Sequence, residues 1–236
     1  MDRHEKPGLR QLLFRIHLRI SKIFLRRMDG RIDRRICGQS LVAYVPSVYR
    51  NDAEGLGGTG SRPTNYVVLK RIFSHVVLTE QDVFLDVGCG KGRTLAFLLK
   101  EKAPCKLWGI EINEISGRVA QEWTQKYEQA EVLLGDAFQL DYNAYTVLYL
   151  FRPFLPKTFL RFVEKLEADL THPIRLIYWA DQQSGFMLKN RPGWKLQFRE
   201  RLKTVCGLLI ERCPQAYSLW EYDPEQRRAP GAERAQ

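Results

Sequence analysis

A glycine-rich turn that joins an apolar segment to a helical one indicates the fold class of this chain. Residues 83–93 read VFLDVGCGKGR, so an apolar run reaches Asp86 and then passes through alternating glycines. Glycine lets the backbone turn sharply and lets a ligand approach more closely than a Cβ atom would permit. The helix that follows begins with unpaired N–H groups and positive potential. The segment therefore predicts a strand–turn–helix unit with a ligand site at the turn.

The spacing of the three glycines separates the candidate ligands. Gly88, Gly90 and Gly92 give the pattern GxGxG, and Arg93 stands where the dinucleotide fingerprint GxGxxG has its third glycine. A phosphate-binding P-loop is also excluded, because no Gly-Lys-Ser/Thr follows at the required distance. The pattern therefore favours a ligand without a pyrophosphate. An ordinary glycine-rich turn without a ligand is the alternative.

Two acidic residues lie at the ends of the next two apolar segments. Glu111 comes near the end of KLWGIEI (106–112), where a carboxylate can accept hydrogen bonds from both hydroxyls of a ribose. Asp136, in Gly135-Asp136-Ala137, can accept one from an exocyclic adenine amine, with Phe138 near the ring. The alternatives are a helix N-terminal acid and a plain turn aspartate. The glycine turn earlier in the chain favours the ligand roles.

From residue 82 onward, short apolar runs alternate with amphipathic stretches. This alternation predicts βαβ units and a mostly parallel sheet with helices on both faces. After residue 190, two apolar segments without a long helix between them predict an antiparallel pair at a sheet edge. The fold class is therefore α/β, Rossmann-like and doubly wound. Strands are expected at 82–87, 106–112, 131–136, 146–151 and 174–180, and helices near 92–102, 114–129 and 156–170.

Taken in order, these segments resemble the S-adenosylmethionine motifs of class I methyltransferases over residues 59–222. The resemblance implies a seven-stranded sheet with an antiparallel last strand and S-adenosylmethionine as the cofactor. It also implies that the glycines approach the methionine part, Glu111 the ribose and Asp136 the adenine. Asp86 would anchor the turn and face the methionine amine. The cofactor-binding residues expected on this basis are Asp86, Gly88, Cys89, Gly90, Gly92, Glu111, Ile112, Asp136, Ala137 and Phe151.

Other segments resemble a subgroup of small bacterial methyltransferases that are distantly similar to Dot1-type lysine methyltransferases. They are Lys91-Gly92-Arg93 in the turn, Ser61-Arg62-Pro63-Thr64 ahead of a helical stretch, and Asp33-Arg34-Arg35 with Cys37-Gly38 nearer the N-terminus. A net charge of +10 favours acidic partners such as nucleic acid or a phospholipid surface. The resemblance and the charge make a protein or nucleic-acid acceptor one of the hypotheses for function.

Arg152 departs from the pattern of amino-group methyltransferases. The fourth strand runs into Phe151-Arg152-Pro153-Phe154, where such enzymes often carry Asn or Asp before Pro. Asn or Asp accepts hydrogen bonds from a substrate amine, whereas Arg has only donors. An anionic or carbonyl-bearing acceptor, small or lipid-like, is therefore the leading hypothesis. The alternatives are an Arg152 that turns outward into a salt bridge and a cofactor-binding module without catalysis.

Two more residues are expected to serve catalysis beside Arg152. Asp181 follows the fifth strand directly, so we expect it at the carboxyl edge where ligands of open α/β sheets bind. It is the candidate general base for an acceptor that arrives protonated. Tyr66, in the helical segment 66–77, is the candidate to close over the cofactor. No metal is expected, because the five cysteines show no zinc-ligand spacing.

The domain at 59–222 is expected to lie between an extension at 1–58, with a basic helix and a Gly-rich loop, and a disordered tail at 223–236. In residues 8–28, apolar side chains recur at helical spacing beside a stripe of basic residues. The helix packs its apolar face on the domain, which is the favoured interpretation, or lies on an anionic membrane surface. The cysteine usage indicates a cytoplasmic protein, with peripheral contact at the inner membrane surface as the alternative.

Overall fold

A seven-stranded sheet forms the centre of the computed structural model, which describes residues 8–47 and 57–228. Its strand order is β3-β2-β1-β4-β5-β9-β6, and β9 runs antiparallel to both of its neighbours while the other pairs are parallel. The predicted mostly parallel sheet with an antiparallel last strand is thereby confirmed. The strands of this sheet are β1 (Val83–Val87), β2 (Lys106–Glu111), β3 (Ala130–Leu134), β4 (Val147–Phe151), β5 (Ile174–Trp179), β6 (Trp194–Leu202) and β9 (Gln215–Tyr222). Two short strands, β7 (Thr204–Val205) and β8 (Leu208–Leu209), form a separate antiparallel pair.

The helices lie on both faces of the sheet, and their ends follow local sequence signals. The side chain of Asn113 caps the helix after β2 by accepting the N–H of Ser116, and Pro156 occupies the first turn of the helix after β4. These signals place the helix starts close to the predicted positions. The helices are α1 (Leu9–Cys37), α2 (Tyr66–Phe73), α3 (Arg93–Lys100), α4 (Glu114–Thr124), α5 (Pro156–Asp169) and α6 (Pro224–Arg228).

The central strands read as continuous apolar runs because both faces of the sheet are covered. In β4, Val147, Leu148, Tyr149 and Leu150 are all completely buried. Successive side chains point to opposite faces, so Val147 and Tyr149 join a core with residues of α1, α2 and α3. Leu148 and Leu150 join the second core, which includes residues of α5.

The strand order reverses next to β1, and this reversal locates a crevice. The chain runs from β1 outward to β2 and β3, and then returns to place β4 on the other side of β1. In open α/β sheets, ligands bind outside the carboxyl ends of the strands at such a reversal. The glycine turn after β1 and the residues that follow β2, β3 and β4 therefore converge on one place.

Helix α1 is longer than predicted and packs through a different face. It continues past residue 28 to Cys37, and Gly38 ends it in a left-handed conformation with φ 77°. The structure contradicts the prediction that the apolar residues of the first turns pack on the domain, because they are 45–71% exposed. These residues are Leu9, Leu12, Leu13, Ile16, Ile20, Ile23 and Phe24. The buried residues of the helix are instead Ser21, Leu25, Asp29, Gly30, Asp33 and Cys37.

The structure describes the segments that flank the domain only in part. The expected tail begins with the short helix α6, which Asp223 supports by accepting the N–H of Glu225, while residues 229–236 lie outside the described residues. Much of the Gly-rich loop falls within residues 48–56, which also lie outside them. Within the described ranges, no helix is long and apolar enough to cross a membrane.

Candidate active site

A cavity of about 660 Å³ opens at the carboxyl ends of β1, β2, β3 and β4. Its volume falls in the range of small-molecule sites, roughly 300–1,000 Å³. Most of the predicted cofactor-binding residues line it. They are Asp86, Gly88, Cys89, Glu111, Ile112, Asp136, Ala137 and Phe151.

The glycine turn after β1 brings backbone close to the opposite wall of this cavity. Gly88 has φ 74°, and a Cβ atom there would lie 2.6 Å from Cβ of Pro153. Gly90 has φ 57°, and a Cβ atom would overlap the Ser61 hydroxyl. The positive φ makes a side chain unfavourable at both positions, and at Gly88 the Pro153 ring also leaves no space for one. Gly90 and Gly92 shape the turn without lining the cavity.

Glu111 fastens the glycine turn to the start of α4. Its Oε2 accepts the N–H of Gly90 at 2.7 Å, and its Oε1 accepts the N–H of Asn113 at 2.7 Å. Burial raises the pKa of this carboxyl, and the backbone N–H groups oppose that rise. A carboxylate has about four acceptor positions, so these two bonds leave capacity for hydroxyls in the cavity.

Asp86 is a buried carboxyl in the floor of the cavity. Burial raises its pKa to about 7, a hydrogen bond from the Thr94 side chain works against the rise, and the charge of Glu111 adds to it. The group therefore titrates near neutral pH. A cation bound beside it would favour the ionised form.

Asp136 and its neighbours form the wall beyond β3. The Asp136 Oδ1 accepts the N–H of Phe138 at 2.9 Å, so the side chain holds its own turn as well as facing the cavity. Ala137 is buried there and Ile112 is 47% exposed at the mouth. Together these residues offer an acceptor between apolar surfaces, which suits a flat heteroaromatic ring.

A strap of residues 57–62 closes the cavity opposite the glycine turn, and the contacts that hold it there were not predicted from the sequence. The N–H of Thr59 donates to the carbonyl of Pro153 at 2.9 Å, and the N–H of Leu155 donates to the carbonyl of Gly57 at 2.9 Å. The Thr59 hydroxyl donates to the carbonyl of Arg152 at 2.7 Å. These bonds join segments far apart in the chain, so local sequence carries little signal for them.

Arg152 lines the cavity in a strained backbone conformation. Its φ of 40° lies in the left-handed region, which a non-glycine residue seldom adopts. Among the ion pairs formed by residues 8–47 and 57–228, none involves Arg152, so the predicted alternative of an outward salt bridge is not found. The side chain is half-buried and belongs to the cavity wall. It therefore stays the candidate to meet an acceptor.

The structure does not bring Asp181 to the cavity. Both of its oxygens accept hydrogen bonds from Arg199 of β6, each at 2.8 Å, and its side chain is 1% exposed. Both oxygens are occupied by the Arg199 guanidinium, so this carboxylate is not available to a ligand in the cavity. The expected general base is therefore corrected to a structural residue that ties the end of β5 to the sheet edge.

Tyr66 is also a structural residue in the fold. Its hydroxyl donates to Asp33 Oδ1 at 3.0 Å, its ring packs near Phe97, and it is 4% exposed. Burial and the nearby Asp33 raise its pKa far above the usual range. The expectation that it closes over the cofactor is therefore corrected, because the side chain points to α1 and does not line the cavity.

A buried ion cluster links α1 to the glycine turn, and it was missed by sequence reasoning. Arg93, the first residue of α3, donates to Asp33 Oδ2 at 2.6 Å and to Asp29 Oδ2 at 3.4 Å. All three side chains are at most 3% exposed. Asp29 and Asp33 lie at i and i+4 of a helix with arginines around them, and this unusual acidic spacing was the available signal.

Comparisons with known proteins show that part of this chain is similar to methyltransferases. Residues 84–162 match the sequence family described as a methyltransferase domain. A protein-lysine N-methyltransferase of Saccharolobus islandicus is 29% identical over 92 residues, which cover 38% of this chain and 57% of that protein. A probable ribosomal RNA small subunit methyltransferase A of Methanococcus maripaludis is 33% identical over 88 residues, which cover 36% of this chain and 31% of that protein.

The similarity to solved structures concerns the fold. An RNA methyltransferase from Salinibacter ruber, solved in complex with S-adenosyl-L-homocysteine, superposes with a TM-score of 0.51 at 19% identity. The superposition covers 68% of this chain and 92% of that one. The chain therefore has the class I methyltransferase fold. The matched segment runs from β1 into α5 and includes the glycine turn, Glu111 and Asp136, and the cofactor of this class is S-adenosylmethionine.

Proposed function

We propose that this chain is an S-adenosylmethionine-dependent methyltransferase. One observation carries the proposal: the cavity at the reversal of the sheet gathers Asp86, Glu111 and Asp136 around the glycine turn. The match of residues 84–162 to a methyltransferase domain supports it. A cytoplasmic location belongs to the same proposal, supported by five cysteines that are all free thiols.

The residues of the cavity fit this cofactor. Two buried carboxyls, Asp86 and Glu111, suit a molecule that carries an ammonium and a sulfonium charge. Glu111 is placed to accept from ribose hydroxyls, and Asp136 to accept from the adenine amine between Ala137 and Phe138. When bound, the cofactor supplies a methyl group on its sulfonium. The turn and the strap of 57–62 then orient the ligand and exclude water, which supplies much of the rate.

The acceptor that we propose is an anionic or carbonyl-bearing molecule, small or lipid-like, methylated on oxygen or nitrogen. Arg152 supports this choice, because its guanidinium has only donors and has no ion-pair partner among the described residues. Asp181 is held by Arg199 and does not line the cavity, so it does not serve as the base. An acceptor that is already ionised at neutral pH needs none.

A protein or nucleic-acid acceptor is the second candidate. The names of the two relatives, a protein-lysine and a ribosomal RNA methyltransferase, favour it. The net charge of +10 and the resemblance to Dot1-type enzymes point the same way. The third candidate is a cofactor-binding module without catalysis, and it is motivated by Arg152 in the place of an Asn or Asp.

Calorimetric titration of S-adenosylmethionine into the whole chain tests the cofactor proposal. We expect binding by the wild type and a dissociation constant at least about tenfold higher in Glu111→Ala, because the ribose acceptor is lost together with the bonds that hold Gly90 of the turn and Asn113. Glu114→Ala is the matched control, since Glu114 lies on the same helix start but is exposed and pairs only with Arg118 among the described residues. No binding by the wild type would contradict the proposal.

A second experiment separates the acceptor classes. Release of S-adenosylhomocysteine is measured with panels of carboxylate metabolites, anionic lipids, lysine-bearing proteins and ribosomal RNA. Product with the first two panels supports the leading proposal. Product only with protein or RNA selects the second candidate, and cofactor binding without product in any panel selects the third.

A further inference from the structure

The first half of α1 presents a continuous apolar surface to solvent. At 100° per residue, its seven exposed apolar side chains fall within about 120° of one another around the helix axis. We call them the outer stripe: Leu9, Leu12, Leu13, Ile16, Ile20, Ile23 and Phe24. They make up half of the large apolar side chains that are exposed in the described residues. A stripe of this kind on one helix marks an interaction surface, whereas scattered apolar residues do not.

The contacts on the other side of α1 hold the outer stripe away from the domain. The N–H of Leu209 donates to the Ser21 hydroxyl at 3.1 Å, and the Tyr127 hydroxyl donates to the carbonyl of Ile36 at 2.8 Å. The Arg93 cluster adds two buried ion pairs with Asp29 and Asp33. Turning the stripe inward would break all of these contacts. The stripe is therefore available to a partner in the folded chain.

The charges around the outer stripe are almost all positive. Residues 9–28 contain no Asp or Glu. Arg15, Arg19 and Arg26 follow one flank of the stripe, where a groove continues to Lys203 and Arg212. Among the described residues, Lys22 with Glu211 is the one ion pair made by a side chain of residues 9–28. An apolar stripe with a basic flank matches a surface that is apolar inside and negatively charged outside.

We propose that the outer stripe docks this chain on an anionic phospholipid bilayer, with α1 lying in the plane of the interface. The aliphatic side chains enter the acyl boundary, and the arginines meet the phosphates. RNA fits less well, because six of the seven stripe residues are aliphatic and offer no ring for base stacking. A second copy of the helix would bring two basic flanks together. The proposal stands independently of methyl transfer.

Vesicle flotation with the full chain tests the docking surface. Vesicles of phosphatidylcholine with phosphatidylglycerol are compared with vesicles of phosphatidylcholine alone. We expect the wild type to bind the anionic vesicles and Leu13→Glu with Ile20→Glu to bind at least about tenfold more weakly, since carboxylates replace two exposed aliphatic side chains that would enter the bilayer. The control is Val77→Glu with Phe186→Glu, which adds the same charge at residues 76% and 64% exposed elsewhere. It should bind within about twofold of the wild type.

Three outcomes would overturn the docking proposal. The first is no binding of the wild type to anionic vesicles, and the second is an equal loss in the Val77 and Phe186 control. The third is RNA binding, or a dimer by light scattering, that the stripe substitutions abolish while vesicle binding persists. Thermal unfolding and S-adenosylhomocysteine affinity of every variant show whether the fold is kept. Failure of vesicle binding with the affinity intact leaves the methyltransferase proposal standing.

Discussion

The three carboxyls of the cavity differ in hydrogen bonding and in pKa because their surroundings differ. Glu111 is occupied by two backbone N–H groups, Asp136 by one, and Asp86 is the one whose pKa burial brings to about 7. In the sequence the three cannot be distinguished, because each is an acidic residue near the end of a predicted strand. The difference arises from hydrogen bonds and burial, which only the fold creates.

The affinity for S-adenosylmethionine should rise as the pH increases from 6 to 8. Asp86, with a pKa of about 7, is mostly neutral at the lower pH and mostly ionised at the higher one. The ionised form attracts a cationic ligand, so the dissociation constant falls by up to about tenfold per pH unit below the pKa. The raised pKa of Glu111 acts in the same direction. Titration calorimetry at each pH measures the dissociation constant.

Asp86→Asn is the control for this pH dependence. The variant should bind more weakly at pH 8 and with a flatter pH profile, because the titrating group is gone. An affinity that falls with rising pH in the wild type would show that the cavity binds the ligand beside a neutral carboxyl.

Arg152→Asn should separate cofactor binding from methyl transfer. Asn tolerates a left-handed φ better than most residues, so the backbone at φ 40° keeps its place. The affinity for S-adenosylhomocysteine should stay within about twofold, while kcat/KM for an anionic acceptor falls at least about tenfold. Arg201→Asn, on an exposed part of β6, serves as the control. If kcat/KM of Arg152→Asn equalled that of the wild type and of Arg201→Asn, Arg152 would not contact the acceptor.

At the scale of elements, α1 is a part of the domain and not an appendage to it. It contributes Leu25 and Cys37 to the core, and Asp29 and Asp33 to the cluster with Arg93. Apolar periodicity predicted the helix correctly but assigned the wrong face to the interior. The inner face of α1 contains Ser21 and two aspartates, and their partners lie far away in the chain. Because these residues are polar, the sequence pattern does not identify this face as buried. The strands of the sheet were easier to predict from the sequence, because strands that are buried on both faces consist of continuous apolar runs.

Arg93→Met should destabilise the fold by about 3–5 kcal/mol, because two buried aspartates lose their counter-charge. Burial already raises the pKa of Asp29 against the opposing effect of Arg93. The control is Arg118→Met, which breaks an exposed pair with Glu114 and should cost less than about 1 kcal/mol. Urea unfolding followed by tryptophan fluorescence measures both. Equal midpoints in the two variants would mean that the cluster contributes little to stability.

For the whole molecule, the sequence predicted the wall of the cavity that is formed by the glycine turn and the strand ends, but it did not predict the opposite wall. The glycine turn, Glu111 and Asp136 follow consecutive strands, so strand order alone brings them together. The strap of 57–62 and the fate of Asp181 depend on contacts between distant segments, such as Thr59 with Pro153 and Asp181 with Arg199. The cavity is therefore built from both kinds of element. A ligand in it would couple the turn to the strap.

Binding in this cavity predicts that S-adenosylhomocysteine raises the unfolding temperature of the whole chain. A ligand that binds only the folded state at about 100 times its dissociation constant adds about 2.7 kcal/mol. For a domain of this size that corresponds to a shift of about 5–10 °C, and differential scanning calorimetry measures it. Glu111→Ala should lose most of the shift at the same ligand concentration, whereas Glu114→Ala should keep it. Equal shifts in both variants would place the ligand away from the glycine turn, because Glu111 is what fastens that turn.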